Sequence, residues 1–234
     1  MDKHTLVATL YRELQSVKAE RQAAQTDAAT GMARAALKRF QVARMMRTHA
    51  DLLMAPASHA AARFFLDDLY GAKDMTQRDA DIERVIPMME RLLPVPALET
   101  ITEAIMLDAL SESLDAVMAS RLGEKFDEAD YIVAYRESTL RADRERQLTY
   151  VESTGYSLCN LVRVRLVGTT LKLMRKPARL ANLDKLHDFL ERGFNAFSIM
   201  PDPKAFVVTV VTREKTIMEN LYAGRTQPFS VIQE

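Results

Sequence analysis

The chain has 234 residues, 48% of them hydrophobic, with 32 Lys+Arg set against 32 Asp+Glu. This supplies a core for one large domain or two small ones, and zero formal charge argues against a uniformly basic nucleic-acid-binding surface. With only seven Gly and eight Pro a turn-rich β fold is disfavoured, and the one cysteine, Cys159, excludes an internal disulfide and points to a reducing compartment.

Leu6, Leu10, Leu14 and Val17 form a helical stripe, predicting a first helix over about 5–25. After Gly31 a second helix is expected over about 32–54, carrying Leu37, Phe40, Val42, Met45 and Leu52 and ended by Pro56. Ser58 is a candidate N-cap for a short helix through Phe64, Phe65 and Tyr70, with Gly71 as its αL cap. Thr76 and Asp79 imitate a capping box ahead of a helix interrupted by Pro87. Beyond Pro94 and Pro96, a long helix over about 97–122 is apolar on more than one side, as a central bundle helix would be. Asp127 is placed to cap the next helix, which holds Tyr131 and Tyr135.

A stripe from Leu148 to Leu166 includes Gly155, where a missing side chain permits close helix contact, and Gly168 and Pro177 are expected to bracket a short segment. Leu183, Leu186, Leu190, Phe194 and Phe197 mark the penultimate helix, and Pro203 opens the last. Phe206–Val211 is β-branched enough to suggest a strand, but the 3.6-residue period continuing to Leu221 decides for helix. The expected fold is an all-α, single-domain bundle of eight or nine helices over 1–234. Residues 1–55 would form an N-terminal hairpin or arm and residues 97–223 the core bundle.

Charge is unevenly spread: residues 63–130 hold seven Lys/Arg and sixteen Asp/Glu, whereas residues 141–179 hold nine and three. Such segments complement one another within the fold or across an oligomer, or leave a basic face for an anionic partner. No apolar run reaches the roughly 20 residues of a membrane helix, and the N-terminus lacks a signal peptide's apolar core. The expectation is a cytoplasmic protein without membrane contact.

Three segments, Arg63-Phe64-Phe65-Leu66-Asp67-Asp68-Leu69-Tyr70-Gly71, Met174-Arg175-Lys176-Pro177-Ala178 and Phe189-Leu190-Glu191-Arg192-Gly193-Phe194, resemble an uncharacterised family of bacterial all-helical proteins of about this length. The resemblance covers most of the chain. It implies a helical fold and transfers no activity and no site residues.

Glu214 falls on the midline of the last helix's apolar stripe, where a lone carboxylate costs several kcal/mol and needs a partner. Extending the Leu148–Leu166 stripe back one turn puts Arg144 on its midline, making it the expected partner. This pair either fixes helix register or floors a polar pocket to which Tyr131, Tyr135 and Arg136 contribute. Asp67, Asp68 and Tyr70 form a weaker cluster whose plain reading is an exposed helix edge.

No Glu-x-x-His pair exists for a dimetal site, and Asp184-x-x-His187 reads as solvated. His49 and His59 are the available axial ligands for a haem, but a capping or surface role is commoner. Cys159 lies on an apolar stripe that makes a thiol inert. No phosphate loop, dinucleotide fingerprint or Gly-x-Ser-x-Gly is present. No catalytic residue, metal or cofactor is favoured, and nucleic acid is disfavoured. The leading expectation is a non-enzymatic helical module that binds a partner protein or assembles as a homo-oligomer. The alternative is a bundle binding a small ligand or cofactor, with an enzyme within its scope. A nucleic-acid-contacting regulator comes third.

Overall fold

The structure is a computed structural model that describes residues 2–69 and 75–230. Among these residues it is all-helical, without strands: α1 (Lys3–Thr26), α2 (Ala28–Thr48), α3 (Ala50–Met54), α4 (His59–Phe64), a π-helical turn (Phe65–Leu69), α5 (Thr76–Leu92), α6 (Val95–Leu122), α7 (Glu128–Ser138), α8 (Arg141–Leu161), α9 (Arg165–Leu180), α10 (Asp184–Ser198) and α11 (Pro203–Tyr222).

Eleven α-helices replace the expected eight or nine, and two breaks explain most of the difference. At His49 the backbone leaves helical geometry (φ −114°, ψ 28°), so the expected 32–54 helix splits into α2 and α3. At 162–164 the chain turns, so Leu166 belongs to α9 and is exposed rather than continuing the α8 stripe. Gly168 and Pro177 lie inside α9, with Pro177 in its last turn, rather than bracketing a short segment.

Local signals act unequally. Asp2, Asp127 and Asp202 cap α1, α7 and α11, with a reciprocal Asp127–Asp130 box on α7 and Pro203 in the first turn of α11. Thr76 makes no cap, because Asp79 turns inward to Arg21 and Arg78. Ser58 Oγ donates to the Leu52 carbonyl at 2.7 Å instead of capping α4. Gly71 lies outside the described residues. The break between α1 and α2 falls at Asp27, and Gly31 sits within α2. A Cβ there would stand 2.5 Å from the Ala24 carbonyl oxygen, so Gly31 serves the close approach of two helices.

α6, 28 residues and about 42 Å long, is the central element, in contact with α1, α2, α7 and α8. Leu6, Leu10 and Leu14 of α1 pack with Ile82, Val85 and Ile86 of α5 and Leu98 and Ile105 of α6. Leu37 of α2 packs with Met118 and Ala119 of α6 and with α7 and α11. The apolar stripes of α1 and α2 are therefore buried against other helices of the chain. A third cluster joins Ala61, Cys159, Phe197, Phe206 and Val207. Gly155 does permit close contact: a Cβ there would lie 2.9 Å from Val207 Cγ1 of α11.

A buried ionic network also ties α1, α2, α5 and α6 together. Glu112 accepts from Arg34 and from Lys38 (2.9 Å), and Arg21 bridges Glu112, Asp79 and Asp108. Arg78 joins Asp79 (2.8 Å) to Asp108 (2.6 Å). Burial alone would raise the Glu112 pKa, but the charges of Lys38 and Arg21 outweigh it and hold the carboxyl below its ordinary range.

Candidate functional site

The helices enclose a cavity of about 360 Å³, and every helix except α1 and α9 contributes to its lining. Its character changes along its length. The first half of α8 brings Arg144 and Gln147, the second half of α11 brings Glu214, α2 brings Gln41 and Arg44, and α7 brings Tyr131 and Tyr135. The opposite halves of α8 and α11, with α4, the π turn and α10, bring Leu158, Val210, Ala62, Phe65, Phe189 and Phe197. Because α8 runs from Arg144 to Leu158 across the lining, the cavity extends about 21 Å along it.

Glu214 sits where its sequence position demands, but its partner is not Arg144. Arg44 Nη1 donates to both Glu214 oxygens at 2.5 and 2.7 Å, and His49 Nε2 meets Oε1 at 2.9 Å. The break between α2 and α3 places His49 for this contact. Burial alone would raise the Glu214 pKa, but the Arg44 charge and the His49 hydrogen bond outweigh it and hold the carboxyl at about 2. With Glu214 ionised, His49 Nε2 donates to it. Its Nδ1 is buried and without a partner. Arg44 Nε is likewise buried and unpartnered.

Arg144 is buried as predicted, but among the described residues no carboxylate pairs with it. Its guanidinium stacks over the Tyr135 ring (4.3 Å to the centroid) and donates to Gln147 Oε1 at 3.0 Å and Met118 Sδ at 2.9 Å, with Thr139 Oγ1 at 3.4 Å. Tyr131 and Tyr135 do line the cavity, and burial pushes both phenol pKa values up. Tyr131 feels the charges of Arg44 and Arg144 together. Arg136 is exposed beside Glu137 and does not line the cavity, because one residue beyond Tyr135 turns it about 100° round α7.

Asp67 pairs with Arg63 at 2.8 Å, Asp68 is buried with Arg192 at 3.0 Å, and Tyr70 lies outside the described residues. His187, read as solvated, is buried with Nε2 against the Leu171 carbonyl at 2.8 Å. Among the described residues no group of His, Cys, Asp or Glu is arranged to hold a metal ion. Burial pushes the Cys159 thiol pKa up, which keeps it protonated.

Sequence reasoning missed Arg44 and Asp115, and considered His49 only as a haem ligand. The signal for Arg44 was present: Ala33, Leu37, Phe40 and Arg44 follow an i, i+4, i+7, i+11 series, which carries Arg44 onto the buried stripe of α2. Asp115, on the lining, accepts from Gln41 Nε2 at 2.9 Å, and burial raises its pKa.

The surface has one further feature. On α9, Leu166, Leu173 and Leu180 recur every seventh residue and are 70%, 72% and 87% exposed. Arg165, Lys172, Lys176 and Arg179 lie exposed along an adjoining face. No helix of the described residues is long and apolar enough to cross a membrane.

No curated protein and no solved structure matches the chain. The model of a protein family described as "Domain of unknown function (DUF8198)" matches residues 20–228, most of the chain's length, and the chain belongs to that family.

Proposed function

We propose that the protein binds a small, largely apolar molecule inside the bundle, with the molecule's polar group at the Arg44–His49–Glu214 end. One observation carries this reading. Among the described residues, four buried side-chain nitrogen or oxygen atoms lack a hydrogen-bond partner, and three of them, Arg44 Nε, His49 Nδ1 and Thr154 Oγ1, belong to residues lining this cavity. A buried unpaired polar atom costs about 1–3 kcal/mol, and a ligand's polar group would offset that cost. The size also fits, since ligand pockets run from about 300 to 1,000 Å³ and are mostly apolar with a few convergent polar groups. The charged groups at this end are mainly engaged in holding one another, which favours binding over catalysis. A cytoplasmic setting fits the single buried thiol, Cys159.

A neutral fluorophore that brightens in apolar surroundings, N-phenyl-1-naphthylamine, tests the reading. The expected result is saturable binding at one site, lost when Val151→Phe fills the lining while the helical spectrum is kept. Unsaturable binding, or binding indifferent to Val151→Phe, counts against it.

A second reading, protein interaction, is favoured by α9 alone. Its exposed leucines beside unpaired basic residues suit a surface that is acidic and partly apolar, and the acidic 63–130 segment of a second copy offers that charge. Sedimentation of the wild type and of Leu173→Glu checks it. Self-association is expected in the first and not in the second, and a wild type monomeric at micromolar concentration refutes it.

A further inference from the structure

We infer that the cavity takes a linear aliphatic carboxylate, and that Arg144 receives its head group. The inference rests on the ligand-binding reading above and names the ligand class.

The starting point is a comparison among the buried arginines. Arg34 is met by Glu112 and Glu20, Arg44 by Glu214, and Arg78 by Asp79 and Asp108. Arg144 is as buried as these, at 4% exposure, yet no carboxylate lies within ion-pair distance of it among the described residues. Its contacts are an amide oxygen, a hydroxyl, a thioether and a ring face, all uncharged. Removing a guanidinium from water costs several kcal/mol, and desolvated stacking on Tyr135 returns about 2 kcal/mol or somewhat more, which leaves the charge itself without a counter-ion. Asp115, also on the lining, feels the Arg144 charge but is bonded to Gln41, and its burial disfavours the charged form.

The uncompensated cation is also the one that faces the cavity from the first turn of α8. A guanidinium fork matches a carboxylate better than any neutral group. On the same side, Arg44 Nε offers a buried N–H with no partner. A hydroxyl or amide head would leave the Arg144 charge unbalanced, and an ammonium head would add to it. The tail follows from the lining beyond Gln147, where Leu148, Val151, Gly155 and Leu158 of α8 face the cavity over about 15 Å with Thr154 as the polar exception. That shape suits an unbranched chain.

The test is displacement of N-phenyl-1-naphthylamine from the full-length protein by dodecanoic acid and by dodecanol, at neutral pH and below their aggregation limits. The acid is expected to compete at about tenfold lower concentration or better, as a charge-assisted pair would give. Arg144→Met, which keeps an unbranched stem and removes the guanidinium with its charge, should abolish the preference by weakening the acid and sparing the alcohol. Arg144→Lys, which keeps the charge, should retain a reduced preference. Should Arg144→Met fail to fold, the wild-type ratio and the Lys variant still decide. Equal competition by acid and alcohol in the wild type overturns the carboxylate assignment, an acid preference that survives Arg144→Met overturns the role of Arg144, and both leave the cavity reading standing. A wild type that binds neither the fluorophore nor either competitor defeats both.

Discussion

Replacing Glu214 with Leu would strand the Arg44 guanidinium, which is 8% exposed and draws its two short contacts, 2.5 and 2.7 Å, from that one carboxylate. Breaking a buried pair from one side costs about 3–5 kcal/mol. Arg44→Met alone should cost a similar amount, because Glu214 then keeps only His49. Removing both charges together leaves His49 Nε2 without its acceptor, worth about 1–3 kcal/mol, and otherwise exchanges a pair for apolar side chains at little cost. The two single changes therefore sum well above the double, and the coupling should exceed about 2 kcal/mol. Urea unfolding followed by far-UV circular dichroism at pH 7 measures all four corners of the cycle, and comparable m values would show that the same transition is being compared. The same cycle with Arg144→Met in place of Arg44→Met should give a coupling below about 0.5 kcal/mol, since Arg144 makes no ion pair with Glu214. A small coupling for Arg44, or a large one for Arg144, would refute the pairing.

Glu214 also sets a pH dependence. Folding lowers its pKa from an ordinary 4.5 to about 2, so its ionised form is the one the fold favours. Its contribution is complete above about pH 5 and is lost as the pH falls toward 2, a change of about 3 kcal/mol. The stability gap between wild type and Glu214→Gln should shrink over that range, and a constant gap would contradict it. Asp115 has the opposite sign: burial raises its pKa, so the charged form opposes folding at neutral pH, and Asp115→Asn should raise the melting temperature. A lower melting temperature at pH 7 would count against that account. Gly155→Ala should destabilise by about 1–3 kcal/mol, because its methyl would meet Val207 Cγ1 at 2.9 Å. Chemical denaturation checks this, and an unchanged midpoint would mean that α8 and α11 separate at little cost.

Much of the architecture was legible because apolar period and helix length are local properties. The stripe of α1, the many-sided α6, the Asp127 cap and the Pro203 start need no knowledge of distant residues, and each stands in the structure. What failed depended on tertiary partners. Nothing in the local sequence marks His49 as a break, since the break serves a contact with Glu214, 165 residues away. Asp79 looked like a capping residue and instead accepts from Arg21 and Arg78 for the same reason. The wheel that put Glu214 and Arg144 on midlines was right about burial and silent about pairing, because a midline position says which side faces inward and not what lies opposite. Arg44 completes the reasoning. It stands on a midline too and is the arginine that meets Glu214, whereas Arg144, equally buried, turns to the Tyr135 ring and to uncharged acceptors.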